Sequence, residues 1–288
     1  MSESIALGVI GGSGLYAISD LKDVIFQDLD TPFGKPSAPL AIGTLEGKRV
    51  AFLARHGVGH SISPSEINYR ANIYAMKALG VKRIVSVSAC GSLREDYAPG
   101  HIIIPDQVFD FTHKRERSFF GGGLVAHVGV ADPYCPDLSQ LLQQALNQVG
   151  ATTHFGGTYI TIEGPRFSTR AESNAFRAWG MSVIGMTAAP EIFLAREAEI
   201  CYATMAHVTD YDVWHLTEEP VTLEMVIRTM SQNTKLAQDA IKLLLRILPV
   251  DQHCQCSSAM ENAIITHPDA VPGETRRQLN LFLDRDPK

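Results

Sequence analysis

Two carboxylates, Asp210 and Asp212, follow directly on the apolar run Cys201 to Val208, in the string Thr209-Asp210-Tyr211-Asp212. On an extended segment, positions i and i+2 share a face, so the pair would act together. Close behind an apolar run, one carboxyl is desolvated and keeps its proton near neutrality, the condition for a general acid. The same four residues also fit an Asx-capped turn with no chemistry attached. Elsewhere, Arg55-His56 joins a fixed positive fork to a tunable imidazole, a combination suited to phosphate. The plain alternative is a surface arginine beside a structural histidine.

Further groups of the same kind recur after apolar runs. Gly11-Gly12-Ser13-Gly14 lets the backbone approach an anion, and Ser13 adds a hydroxyl donor. Ser88, Ala89 and Thr187 could supply more hydroxyl and backbone N–H donors. The segment Gly12 to Ala17 also fits a loose dinucleotide-binding pattern. Thr31-Pro32-Phe33-Gly34-Lys35-Pro36 then interrupts the strand–helix–strand unit that such a site requires.

The elements that would hold these groups form an α/β pattern. Strands are expected at Ile5 to Ile10, Arg83 to Val87, Ile102 to Ile104, Thr158 to Ile162, Ser182 to Met186 and Cys201 to Val208. Leu40 to Leu45 and Arg49 to Ala54 flank Glu46-Gly47 as a hairpin. Ser63-Pro64-Ser65-Glu66 reads as the capped start of a helix running to about Leu79, with Gly80 as its stop. Other helices are expected at Asp137 to Val149, Arg170 to Trp179, Pro190 to Glu199 and Thr222 to Leu248. The fold class is a single α/β domain, a mixed twisted central β-sheet flanked by helices. Residues 1–250 form that domain, and 251–288 a peripheral tail belonging to it. In such sheets ligands bind beyond the carboxyl ends of strands, where all the groups named above fall.

Bulk properties exclude several classes. A net charge of −6 over 288 residues gives no electrostatic footprint for nucleic acid. The longest apolar stretch, Ile241 to Val250, holds Lys242 and Arg246, so no membrane span is expected. With no signal peptide legible in Met1 to Ala6, the protein reads as cytoplasmic. The five cysteines are scattered, and no pair has zinc-finger spacing. They are expected as free thiols, with Cys254 and Cys256 the one candidate redox pair.

These blocks, in this order, resemble the purine nucleoside phosphorylase family, trimeric class, and within it the 5′-methylthioadenosine type. The likeness covers Ile5 to about Leu248. It includes Gly11 to Leu15, Asp30 to Ser37, Leu53 to Gly57, Ala89 to Glu95, Thr161 to Ser168, Glu197 to Ala203 and Thr209 to Asp212. The resemblance implies a phosphate site from Ser13, Arg55, His56, Ser88, Ala89 and Thr187. It implies Met186 against the ribose, Phe167 on the base, and Asp210 and Asp212 at N7 and the 6-amino group. It places His127 where a neighbouring subunit reaches the 5′ substituent, and so implies a homotrimer or a dimer of trimers. It further implies that members acting on 6-oxopurines carry Glu at Ser168 and Asn at Asp210, which favours adenine here.

Leu223, Val226 and Ile227 make one apolar stripe behind the N-cap Thr222, and the resemblance sets it beside the 5′ group. An apolar wall suits a methylthio group and rejects a hydroxyl. Alternatively these three are ordinary core residues. Two departures from animal members stand out: Gly185 replaces Asn and Leu223 replaces Val. The expected partners are a nucleoside and inorganic phosphate, with no cofactor and no metal. The competing readings are the same reaction on a 6-oxopurine nucleoside, a nucleotide-dependent oxidoreductase, and a nucleoside-binding protein without catalysis.

Overall fold

The computed structural model describes residues 4–216, 221–252 and 254–283, without the side chains of residues 13, 16 and 228–232. Eleven strands form one mixed sheet among these residues. They are β1 (Ile5–Gly11), β2 (Lys22–Gln27), β3 (Leu40–Leu45), β4 (Lys48–Ala54), β5 (Arg83–Ser92), β6 (Ile102–Ile104), β7 (Gln107–Phe111), β8 (Thr153–Phe155), β9 (Thr158–Ile162), β10 (Val183–Gly185) and β11 (Cys201–Asp210). The helices are α1 (Tyr69–Ala78), α2 (Pro136–Gln148), α3 (Arg170–Ala178), α4 (Glu191–Glu197), α5 (Leu223–Ile247), α6 (Gly273–Gln278) and α7 (Asn280–Leu283).

The order β2-β3-β4-β1-β5-β10-β9-β7 runs across the sheet, and β11 branches from β5 to carry β6 and then β8. Strands β1, β4, β5 and β11 are mutually parallel, so their carboxyl ends open on one edge. Both faces of this centre are covered, which is why the strands read as continuous apolar runs rather than alternating ones. Val9, Val85 and Ala203 pack on one side with Leu142 of α2 and Ile241 of α5. Their strand neighbours Ile10, Ile84 and Tyr202 pack on the other with Ile73 of α1 and Ile192 of α4. The tail joins the same cores: Cys256 lies in the first, Leu279 and Phe282 in the second.

Local chemistry moves some boundaries. Helix α1 begins at Tyr69, where the Asn68 side chain accepts from Ala71 N–H, five residues after the expected Pro64. Ser63 and Glu66 do bond each other, through Ser63 N–H at 3.2 Å and its hydroxyl at 2.6 Å, but they close a separate turn. After the glycines comes a 3-10 turn, Ser13–Tyr16, and then strand β2. No α-helix opens at the glycine turn, so the dinucleotide pattern lacks the N-terminus that would receive a pyrophosphate.

Candidate active site

Parallel register sets the strand ends side by side. Gly11 pairs with Ala54, Ile10 with Ser86, and Asp210 with Gly91. Strand β10 runs antiparallel to the end of β5, with Ile184 opposite Gly91, and so directs Met186 and Thr187 back along Ser88 and Ala89.

Arg55 is the buried pin of this edge. Its Nε and Nη2 donate to Glu191 Oε2 and Oε1 at 2.8 and 2.9 Å. Nη2 also reaches Ser86 Oγ at 2.7 Å and the Ile10 carbonyl at 3.2 Å, and Nη1 reaches the Val87 carbonyl at 3.0 Å. One guanidinium thus ties β1, β5 and α4 together, and among the described residues one Nη1 hydrogen is left over. Glu191 also accepts from the Tyr202 hydroxyl at 2.8 Å. Nothing local in the sequence marks Glu191 as a partner 136 residues from Arg55.

The His56 ring exchanges a hydrogen bond with the Ile62 carbonyl through Nδ1 at 2.9 Å. A carbonyl can only accept, so Nδ1 carries the proton and Nε2 is the acceptor nitrogen. Burial, with the Arg55 charge beside it, pushes the imidazole down to about 4. The His56 imidazole is therefore uncharged at neutral pH, the neutral end of the range that a tunable imidazole allows.

Asp210 ends β11 with only 2% of its surface exposed. Its Oδ2 accepts from the Thr209 hydroxyl at 2.6 Å and its Oδ1 from Asp212 N–H at 2.8 Å. Burial raises the carboxyl to about 6, against the pull of those two donors. The pairing with Asp212 is not strand alternation: β11 stops at Asp210, and Asp212 has φ of 51°. An Asx turn brings the two carboxylates together, so the turn is compatible with a paired-carboxylate site. Gly91 makes room for them, since a Cβ there would stand 2.8 Å from Asp210 Oδ1 and 3.2 Å from Asp212 Cβ.

Asp212 Oδ2, Ser168 Oγ and Ser88 Oγ are buried with no hydrogen-bond partner among the described residues. Burial raises the Asp212 carboxyl, while the nearby Ser173 and Ser168 hydroxyls oppose the rise. Buried polar atoms without partners are costly unless a ligand satisfies them. Tyr159 Oη is a fourth such atom, set near the Ser88 and Thr187 hydroxyls. Tyr159 also fills the space beside Gly185, where an added Cβ would lie 1.9 Å from its oxygen. Sequence reasoning passed over Tyr159, because its strand signal looked like core.

The remaining candidates fall around this centre. Thr187 is buried, Met186 and Ala89 half-buried, and Phe167 exposed at the rim. Gly164 approaches Met186 so closely that a Cβ would meet its sulfur at 2.6 Å. The buried Arg115 holds this loop by donating to the Met186 and Ala189 carbonyls, each at 2.7 Å. It also grips Glu163 Oε1 at 3.1 Å. Arg115 likewise escaped the sequence reading. Leu223 and Ile227 are 65% and 57% exposed, so that stripe is not core. Thr222 caps it as expected, accepting from Met225 N–H at 3.2 Å. His127 is exposed, between the exposed Val125 and Val130. The Ser13 backbone opens the 3-10 turn, and its side chain lies outside the described residues.

Comparison with known proteins places this arrangement. The model of the Phosphorylase superfamily matches residues 6–246. The S-methyl-5′-thioadenosine phosphorylase of Geobacter sulfurreducens is 53% identical over 96% of this chain and 97% of its own length. A methylthioadenosine phosphorylase from an antarctic soil metagenomic library superposes with a TM-score of 0.93, at 44% identity, covering 98% of this chain and 99% of that one. The methylthioadenosine phosphorylase of Schistosoma mansoni in complex with adenine gives a TM-score of 0.82 at 37% identity, over 86% of this chain and 93% of that one.

Proposed function

The chain belongs to the phosphorylase superfamily, and we propose that it cleaves S-methyl-5′-thioadenosine with inorganic phosphate, giving adenine and 5-methylthioribose 1-phosphate. The observation that carries this reading is the Asp210 carboxyl, raised to about 6 by burial and fixed beside Asp212 where the parallel strand ends converge. The names of full-length relatives near 50% identity support the same substrate.

In this reading phosphate lies against Ser13, Arg55, His56, Ser88, Ala89 and Thr187. Hydrogenphosphate keeps one P–OH, which donates to Nε2 of neutral His56, while Ser88 and Thr187 donate to its other oxygens. A phosphate oxygen attacks C1′, the C1′–N9 bond breaks, and its electron pair enters the purine. Asp210 delivers its proton to N7 of the departing base, a contribution of about 10²- to 10⁴-fold for a general acid. Asp212 accepts from the 6-amino group through Oδ2, Met186 supports the ribose and Phe167 covers the base. Leu223, Val226 and Ile227 wall the 5′ methylthio group. The steps as written use no cofactor, since phosphate is itself the anionic nucleophile.

His127 reaches the 5′ group of a neighbouring subunit in a homotrimer or dimer of trimers. Support comes from its loop, which exposes Val125 and Val130 at 45% and 39%. No helix among the described residues is long and apolar enough to cross a membrane; a cytoplasmic location is part of the proposal. The decisive experiment is adenine release from methylthioadenosine with and without added phosphate. Release that ignores phosphate would make the protein a hydrolase, and no release would leave only a binding role. A higher kcat/KM for methylthioinosine would move the substrate to the 6-oxopurines.

A further inference from the structure

Four of the five cysteines, scattered in sequence, converge in space. Cys135 is the N-cap of α2, ahead of Pro136. Cys201 opens β11, and Cys254 and Cys256 lie in the segment that follows α5. Their four sulfurs all lie within 4.8 Å of one another, and three of the four residues are buried. Cys201 and Cys254 lie 3.2 Å apart, and all five cysteines are free thiols.

Zinc in a tetrahedral thiolate site sits about 2.3 Å from each sulfur, which sets neighbouring sulfurs about 3.8 Å apart. A disulfide would hold a pair at about 2.05 Å. The observed cluster has the spacing of the first arrangement. Its surroundings fit as well. Gln252 Nε2 donates to Cys201 Sγ at 3.1 Å, and Arg196 Nη1 to Cys256 Sγ at 3.8 Å. Four thiolates around a divalent cation carry two net negative charges. The Arg196 guanidinium and the positive end of α2 both offset that charge, and N–H donors to the sulfurs orient the ligands.

We propose that Cys135, Cys201, Cys254 and Cys256 bind one thiophilic divalent cation of the zinc class. The site is structural. Four protein ligands leave no open position for a substrate. It also lies at the opposite end of β11 from Asp210, about 30 Å away at the usual rise per strand residue. Its effect is to clamp the segment after α5 onto α2 and β11, and so to anchor the tail that carries Leu279 and Phe282 into the core. The sequence concealed the site because its ligands come from three remote segments, and Cys254-Gln255-Cys256 alone is too little to signal a metal.

The test uses the full chain, expressed in a reducing host and purified without chelator. Elemental analysis is expected to find one zinc per chain. Exchange of that metal for cobalt(II) should produce thiolate-to-cobalt charge-transfer bands and the d–d bands of a tetrahedral ion, saturating at one equivalent. The Cys254→Ser/Cys256→Ser double variant should lose the metal and unfold at a lower temperature. If that variant does not fold, the cobalt titration of the wild-type chain decides alone. Five titratable thiols in a chain that takes up neither zinc nor cobalt would overturn the proposal. So would a chain in which only Cys90 titrates and which still takes up no metal after reduction. Metal uptake at one equivalent on reducing such a chain would support it.

Discussion

Arg55 and Glu191 form a two-point ion pair, Nε to Oε2 at 2.8 Å and Nη2 to Oε1 at 2.9 Å, with side chains only 2% and 0% exposed. Through Glu191 this arginine holds the strand ends in register, a task separate from the phosphate contact proposed for it. Burial is outweighed by the neighbouring carboxylate, which keeps Arg55 charged at any accessible pH.

Removing one partner leaves the other charge buried and unpaired, which typically costs about 3–5 kcal/mol. Arg55→Ala and Glu191→Ala are each expected to lower the free energy of unfolding by that order, measured by chemical denaturation. The Arg55 variant should also raise the KM for phosphate well above any change in the KM for nucleoside. Wild-type stability in both variants would remove the pinning role.

Asp210→Asn should fold, because an amide can keep both local contacts: its oxygen accepts from Asp212 N–H and its nitrogen meets the Thr209 oxygen. It cannot supply the proton, so kcat is expected to fall by about 10²-fold or more. The acid must be protonated to act and its carboxyl sits at about 6. In the wild type, kcat/KM should therefore decline as pH rises through about 6, and the variant should lose that limb. A variant with unchanged turnover would assign the proton to another group.

Base preference should follow positions 168 and 210. Ser168→Glu with Asp210→Asn places a full carboxylate acceptor for N1–H and a permanent amide donor for a 6-carbonyl where the wild type has a hydroxyl and a titrating carboxyl. Each mismatched buried group is worth about 1–3 kcal/mol. The ratio of kcat/KM for methylthioadenosine over methylthioinosine should drop by at least about tenfold, read by competition between the two nucleosides. An unchanged ratio would mean that other residues read the base.

His207, fully buried in β11, has no partner for either ring nitrogen among the described residues. Burial pushes it down to about 4 from an ordinary 6.5. A depressed folded-state value stabilises the protein above pH 6.5, and that stability is lost as pH falls toward 4. His56 acts in the same direction, whereas the raised Asp210 carboxyl acts oppositely, losing its contribution as pH rises from 3.8 through about 6. His207→Leu should therefore flatten the fall in stability between pH 6.5 and 4 seen by denaturation. A slope equal to that of the wild type would exclude His207 as a source.

The central strands were legible because burial on both faces leaves unbroken apolar runs, as in Ile5–Gly11 and Cys201–Asp210. Strand β2 was not, since all but one of its residues are exposed and Lys22-Asp23 begins it. The candidate site residues fell at strand ends and could be picked out from type and position. Their supports could not. Glu191, Arg115 and Tyr159 act through bonds and contacts to distant segments, and no local pattern encodes those. Asp210 and Asp212 were found as a pair through alternation along a strand, yet a left-handed residue and an Asx turn make the pairing.

The space shared by Gly185 and Tyr159 limits how this site can change over generations. A side chain at 185 and a phenol at 159 exclude each other, since the first carbon added at 185 would overlap the Tyr159 oxygen. The two positions are therefore one coupled variable. In a lineage that acquires a polar side chain at 185, position 159 must shrink or turn aside in the same interval. An aligned set of relatives should show large residues at one of these positions or the other, with the doubly large combination absent. Ribose recognition on this scaffold would then switch between two discrete solutions, without a graded series between them.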